Sequence, residues 1–413
     1  MKGDSMDRRK FLRGAALLGC SAAAHPLMTT VTLAGSDGGQ PLGDQRLIVV
    51  ILRGAMDGLD VVRPMGDASY AGYRPTLLNG SPGHDLDGYF ALHPGLAGLM
   101  PLWAAGQLAF VQATSTPYRD KRSHFDGQNL LEAGTGLDVP GGRIKDGWLN
   151  RLLQVTPAVR AETAYAVGQE AEPLLAGLAP VRNWAPDTRL ALSPQAELLL
   201  EHIYHDDPLF QAAAIEAIEL TSRDQGLVVE DAMGVGAATG AAPAAIRLNS
   251  VAALADFAAG RLREETRIAA FSLSGWDTHR VQAGAINKSL AKLERVILQM
   301  RDSLGADIWG KTTLLAMTEF GRTARENGSG GTDHGTAGAM IVAGGAVRGG
   351  RVYGRWPGLA DNVLFDQRDL LPTSDVREWA AWAMRGLYGI ERGVLEQVIF
   401  PGLQLGDDPG LIL

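Results

Sequence analysis

Residues 46–52 read Arg-Leu-Ile-Val-Val-Ile-Leu, and residues 53–58 read Arg-Gly-Ala-Met-Asp-Gly. An apolar run of this length without polar alternation is the pattern of a strand buried on both faces, as in the middle of a parallel sheet. The glycine-bracketed turn places Asp57 just beyond the strand's carboxyl end. Four more stretches read as strands: Leu108 to Ala113, Ile268 to Leu273, Thr312 to Met317, and Ala339 to Ala343, the last closed by Gly344-Gly345. Helical patterns lie between and after them. His93 to Ala105 carries Leu96, Leu99, Leu102 and Trp103 on one face, and Phe125 to Ala133 stops at Gly134. Gln282 to Leu304 spaces Ile286, Leu290, Leu293, Ile297, Met300 and Leu304 by three and four. Asp375 to Leu387 opens with Asp375 as cap and Glu378 three residues on. Long single helices between apolar strands predict an α/β fold with a mostly parallel central sheet and helices on both faces.

Residues 46–413 read as one such domain, with one exception. From about 155 to 262 the chain is rich in Ala, Pro and Leu and weakly patterned, with helical stretches near 195 to 204 and 243 to 260; an insertion or cap is expected there. The 413 residues are 46% hydrophobic and 20% charged, ordinary for a globular protein. The net charge of −8 and the lack of a Lys/Arg stripe argue against a nucleic-acid partner. An anionic substrate would need local positive charge or metal.

Arg8-Arg9-Lys10-Phe11-Leu12 precedes a small-residue apolar stretch from Gly14 to Ala34. This resembles a twin-arginine export signal over residues 1–34, with cleavage after Ala34 and a Gly/Asp/Gln linker over 35–45. The expected partner is the twin-arginine translocase, and the expected location is periplasmic or secreted. Leu17-Leu18-Gly19-Cys20 also reads as a lipid-attachment box with Cys20 as anchor. No other run is apolar enough to span a bilayer. Cys20 is the only cysteine, so a processed chain would hold no disulfide, thiol nucleophile or thiolate metal site.

The chemistry is concentrated in three short segments: Gly-Trp-Asp-Thr-His (275–279), Thr-Glu-Phe-Gly-Arg-Thr (318–323) and Gly-Gly-Thr-Asp-His-Gly (330–335). Carboxylates and imidazoles at strand ends can hold divalent ions at the mouth of an α/β sheet. Asp277 and His279 point the same way on an extended segment; the same pair also suits a surface turn. His334, set among glycines, reads as a ligand or as a plain turn residue. Glu319, directly after a buried strand, is hard to leave unpaired, and Asp57 holds the equivalent place after the first strand. With Asp333 these make the candidate metal ligands: Asp57, Asp277, His279, Glu319, Asp333 and His334. Ser123 is the candidate nucleophile, at the start of a helix between Arg122 and His124, and it also suits a simple cap. His124 reads as a ligand or as a base for the serine. Arg322 reads as an anion holder or as a partner of Glu326.

Together with Leu-Arg-Gly-Ala-Met-Asp-Gly (52–58), Arg-Ser-His-Phe-Asp (122–126), Asp-Gly-Trp-Leu (146–149), Val-Tyr-Gly (352–354) and Trp-Pro-Gly (356–358), these motifs resemble, in order, the exported bacterial domain-of-unknown-function 1501 family. More distantly the pattern is similar to the alkaline phosphatase superfamily, which includes sulfatases and cofactor-independent phosphoglycerate mutases. That resemblance implies a three-layer alkaline-phosphatase-like sandwich. It also implies one or two divalent ions, with zinc, manganese, calcium and magnesium not distinguished, and Asp57, Ser123, Asp277, His279, Glu319 and His334 in the superfamily's places. Phe320 departs from it, standing where a histidine ligand of the second ion is expected; either Asp333 or His124 replaces that ligand or the site holds one ion. The Cys/Ser-x-Pro-x-Arg signature of formylglycine sulfatases is absent. The expected function is hydrolysis of a small-molecule or polysaccharide phosphate or sulfate ester by Ser123, with Arg122 or Arg322 holding the anion. A non-catalytic binding or assembly protein on the same fold is the alternative, and a metal-dependent phosphomutase or transferase is a second.

Overall fold

A computed structural model describes residues 42–78, 80–119, 122–137, 145–168, 172–185 and 243–413, with only the backbone for 243–250. They belong to the compact unit Pro41–Leu413. The expected export signal, Cys20 and the helical stretch at 195–204 lie outside the described residues. Among the described residues no helix is long and apolar enough to cross a membrane.

The centre of the molecule is a nine-stranded sheet. Its strands are β1 (Arg46–Arg53), β2 (Leu108–Ser115), β3 (Ala164–Val167), β4 (Arg182–Trp184), β5 (Ile268–Ser274), β6 (Thr312–Met317), β7 (Gly338–Ala343), β8 (Arg351–Tyr353) and the short β9 (Ser374–Asp375). Across the sheet the order is β8-β2-β7-β6-β1-β5-β3-β4, with β9 also paired to β2. β1 lies parallel to both β5 and β6, Val49 opposite Ala270 on one side and Leu315 on the other. Leu47 to Leu52 have no exposed surface, and each aliphatic side chain withdrawn from water in this way contributes about 1.5–3 kcal/mol.

Period-two alternation divides β1 between two cores. Leu47, Val49 and Ile51 face one cluster, with α2 (Trp148–Val155) and α5 (Val376–Tyr388) supplying Leu149, Leu152, Trp379 and Trp382. Ile48, Val50 and Leu52 face the other. There α3 (Pro243–Leu262) and α4 (Gln282–Trp309) supply Ala255, Leu262, Leu290, Leu293 and Ile297. The result is three layers, helices–sheet–helices. Asp375 caps α5 in a capping box with Glu378.

Three features differ from the sequence reading. β7 runs antiparallel to both neighbours, β2 and β6, because it starts at the same sheet edge where β6 ends. The loop 318–337 between them therefore stays on that edge. β3 and β4 extend the sheet beyond β5, so Ala164–Val167 and Arg182–Trp184, within the stretch expected as an insertion or cap, belong to the central layer. The stretch 93–105 is a 3₁₀ segment, Pro94–Leu99, kinked at Leu96, which lies outside helical geometry, followed by a short helix, Met100–Ala104.

His93 caps the 3₁₀ segment. Its Nδ1 accepts from Gly95 N at 2.9 Å, its ring is 6% exposed, and burial pushes its pKa down to about 4 from 6.5. The buried ring is neutral, so its contribution is whole above 6.5 and is lost as pH falls from 6.5 to about 4. That loss amounts to about 3 kcal/mol at most. His93→Asn, which keeps an acceptor for Gly95, is expected to flatten this part of the stability–pH curve, read from urea midpoints over that range. An unchanged slope would show that His93 is not the group responsible.

Candidate metal centre

Every segment that carries a candidate residue leaves the sheet at the carboxyl ends of the parallel strands, where open α/β sheets place their ligands. Asp277 and His279 follow β5, and Glu319 and Arg322 follow β6. Asp333 and His334 lie further along the 318–337 loop. β2 leads through Thr116 and Tyr118 to Ser123, the N-cap of α1 (His124–Ala133), a helix closed by Gly134 in the left-handed conformation. The 318–337 loop is tied across itself by a bridge between Arg322 and His334. It also packs tightly on the β5 segment: a Cβ on Gly331 would lie 2.4 Å from the His279 carbonyl.

Three imidazoles converge on Asp277. Its Oδ1 is 3.1 Å from His279 Nε2, 3.4 Å from His334 Nε2 and 3.6 Å from His124 Nε2. His279 and His334 place their Nε2 atoms 3.0 Å apart. The opposite nitrogen of each ring faces an acceptor: His124 Nδ1 meets Glu319 Oε1 at 2.8 Å, His279 Nδ1 meets Asp333 Oδ1 at 3.1 Å, and His334 Nδ1 meets Arg122 O at 2.7 Å. A carbonyl or carboxylate only accepts, so each Nδ1 carries a proton, and in the neutral ring Nε2 then presents a lone pair. The hydrogen bond to Glu319 pushes the His124 pKa up, so a bound cation or a second proton is what its Nε2 calls for. Lone pairs turned toward each other and toward a carboxylate are unfavourable unless a cation lies among them. His124 Nε2 is moreover buried with no hydrogen-bond partner. Ligand atoms of His124, Asp277 and His334 all lie within 4.8 Å of one another and could hold a metal ion; His279 stands beside them. Pinning the far nitrogen to a carboxylate or carbonyl is the usual support of a metal-binding histidine.

The surroundings stiffen this set. His124 stacks on Phe320, rings 5.3 Å apart and 19° from parallel, and meets His334 edge-on at 4.2 Å. Phe320 is 2% exposed and forms the floor of the cluster. Burial pushes the His334 pKa down, which favours the neutral ligand form. Burial alone would raise Asp277, but the hydrogen bond and charge of Arg322 hold it below the usual carboxylate range.

The remaining candidates have other partners. Asp57 is buried outside the cluster: it caps the turn Gly58–Val61, pairs with Arg74 and accepts from Gln282 Nε2 at 2.6 Å. Glu319 is fully buried, and its carboxylate faces His124 rather than the convergence point. Asp333 supports His279 and accepts from Asn327 Nδ2 at 3.1 Å. Arg122 directs its guanidinium to Asp369, 2.9 Å away, while its carbonyl serves His334. Arg322 is 1% exposed. It donates to the carbonyls of Gly54, Ala55, Trp276 and Thr332 and to Asp277 Oδ1 at 2.6 Å. It pairs with Asp277, and Glu326 instead accepts from Thr76 and Leu77. Ser123 Oγ accepts from Asp126 N at 3.4 Å, as a cap does; among the described residues no hydrogen bond joins it to an imidazole.

Four functional neighbours escaped the sequence reading: Arg74, Gln128, Gln282 and Asn327. Only Gln128 left a signal, since it lies four residues after His124 and so on the same face of α1.

Residues 113–378 match the model of a family described as "Protein of unknown function (DUF1501)". No curated protein matches the sequence. Among solved structures, the chain is similar to a protein in the alkaline phosphatase superfamily from Vibrio parahaemolyticus, at 10% identity and TM-score 0.38, over 93% of this chain and 76% of that one. It is also similar to the lipoteichoic acid synthase LtaP from Listeria monocytogenes, at 10% identity and TM-score 0.38, over 86% and 74%. A third likeness is to alkaline phosphatase from the Antarctic bacterium TAB5, at 12% identity and TM-score 0.33, over 76% and 94%. Each likeness is distant.

Proposed function

The chain belongs to the DUF1501 family of proteins of unknown function, and from that premise and its site we propose that it is an exported, metal-dependent hydrolase of phosphate or sulfate esters. The observation that carries the reading is the convergence of three Nε2 lone pairs on the Asp277 carboxylate. Tetrahedral zinc with bonds of about 2.0–2.1 Å sets its ligand atoms about 3.3 Å apart; the 3.1–3.6 Å spacings of the three Nε2 atoms from Asp277 Oδ1, and the 3.0 Å between His279 and His334, suit an ion of that size. His124, Asp277, His279 and His334 would hold it. When bound, such an ion polarises the ester oxygen and lowers the pKa of a nucleophile. Ser123, at the positive end of α1, is the proposed nucleophile. Its Oγ forms the bond to phosphorus or sulfur, the ester oxygen leaves with a proton as the alcohol, and water then releases the inorganic anion. With Arg122 and Arg322 both engaged by carboxylates, the substrate's charge falls to the ion and the helix terminus.

One ion per chain is expected, because Phe320 and the buried Glu319 leave no second donor set among the described residues. The test is elemental analysis of the processed protein followed by an ester screen with Ser123→Ala and Asp277→Ala. Turnover should fall to background in both, with the ion retained in Ser123→Ala. Hydrolysis unaffected by either change would end the proposal. The capping bond of Ser123 favours one alternative, a non-catalytic ion-dependent binding protein. It would show as an ion present without turnover on any ester.

A further inference from the structure

Glu319 stands at the carboxyl end of a central strand, where a metal ligand would be expected, yet its surroundings give it another task. Its Oε1 accepts from Gly54 N at 3.0 Å, Ala55 N at 3.1 Å, Gln128 Nε2 at 3.0 Å and His124 Nδ1 at 2.8 Å. Its Oε2 meets Thr318 Oγ1 at 2.8 Å. The side chain has no exposed surface. Four donors occupy Oε1, the oxygen that faces His124, so that oxygen has no lone pair left for an ion, and Oε2 is turned to Thr318.

The direction of these bonds is fixed from further out. Arg53 Nη1 donates to Gln128 Oε1 at 3.0 Å. A guanidinium cannot accept, so the Gln128 amide must turn its oxygen to Arg53 and its NH₂ to Glu319. Arg53 is itself held by Glu132 and by Ser272 Oγ at 2.9 Å. The polarity then runs one way from Arg53 to Gln128 to Glu319, where His124 must also donate. In the neutral ring that leaves His124 Nε2 as the free nitrogen facing Asp277.

We infer that Glu319 is a positioning residue, oriented by Gln128 and Arg53, that fixes the tautomer and aim of His124 for the ion. This rests on the metal-centre reading above. It assigns to a buried carboxylate the outer-shell role whose loss typically costs 10–100-fold in metal affinity.

The experiment uses Co²⁺ as probe on the full-length processed protein, with Glu319→Gln and Gln128→Met. Glu319→Gln keeps an oxygen for the four donors and turns its NH₂ to Thr318 Oγ1, whose own proton can go to Leu52 O, so it removes the charge with the least rearrangement. Expected for Glu319→Gln are one Co²⁺ per chain, unchanged ligand-field bands and a Kd raised 10–100-fold. Gln128→Met should shift the Kd less, in the same direction. Altered bands in Glu319→Gln, as loss of an oxygen ligand would produce, would overturn the inference, as would an unchanged Kd. A second readout needs no metal: the imidazole ¹⁵N shifts of His124 in the ion-free protein at alkaline pH. Protonated Nδ1 is the expected result, and protonated Nε2 would overturn the assignment. If the wild-type protein took up no Co²⁺, the metal-centre reading would fail while the ¹⁵N shifts still decided what Glu319 does to His124.

Discussion

Asp277→Ala is expected to abolish ion binding at the proposed metal centre while leaving the protein folded. Asp277 Oδ1 is the atom on which the Nε2 nitrogens of His124, His279 and His334 converge, and among the described residues it supplies the only carboxylate at that point. Losing it removes a ligand and the one negative charge that offsets the ion, a change we put at about 4 kcal/mol of binding, on the order of a thousandfold in Kd. The fold should bear the change because the Asp277 side chain is 48% exposed. Arg322 Nη2 also keeps the carbonyls of Gly54 and Trp276 as acceptors. Calorimetric titration with Zn²⁺ or Co²⁺, beside a urea unfolding curve, separates the two effects. An affinity within threefold of wild type, roughly 0.7 kcal/mol, would mean that the ion, if there is one, sits elsewhere.

Arg322→Met should do the reverse and strike the fold itself. The guanidinium joins three separate stretches of chain: the end of β1 through Gly54 and Ala55, the end of β5 through Trp276 and Asp277, and the far limb of its own loop through Thr332. Methionine fills similar volume without a donor. Four carbonyls and a carboxylate would then lose a charged partner in a site nearly closed to water. The half-exposed pair with Asp277 contributes at most about 1 kcal/mol, while leaving buried carbonyls without their donor costs about 1–3 kcal/mol each before relaxation and about 3–5 kcal/mol in sum. A urea midpoint lowered by that amount, together with weakened Co²⁺ binding, is the expected result. A loss under about 1 kcal/mol, the range of a surface pair, would show that the loops hold their places without this residue.

The sequence revealed most of the fold where a single segment carries its own signal. β1, β5 and β6 are apolar runs with no alternation, α4 repeats at three and four, and Asp375 with Glu378 writes a capping box. The misses have physical causes. The antiparallel direction of β7 follows from the loop before it: residues 318–337 hold no helical pattern, and a parallel return needs a crossover, usually a helix. β3 and β4 are four and three residues long, too short to show a period. Pro94 and Pro101 break a helical pattern that the leucines alone would support.

At the site, residue type and strand-end position were enough to single out Asp277, His279, Glu319 and His334. What each atom meets was not legible. Glu319 faces away from the Asp277 convergence point because Gly54 and Ala55, from the other half of the chain, aim their N–H groups at it. Asp57 turns away because Arg74 and Gln282 reach it first. Except for Asp57 with Arg74, 17 residues on, these partnerships join segments more than two hundred residues apart.

The four residues around Asp277 Oδ1 come from three stretches of chain: the start of α1, the segment after β5 and the loop before β7. β1 and β6 must already lie side by side for these stretches to meet. No partly assembled chain can therefore gather the donors, and an ion that binds there selects the completed molecule over every precursor. By mass action, free ion at a thousand times its Kd would add about 4 kcal/mol to the stability of the finished state. A chelator added to the loaded protein would then act as a mild denaturant, lowering the melting temperature without touching a covalent bond.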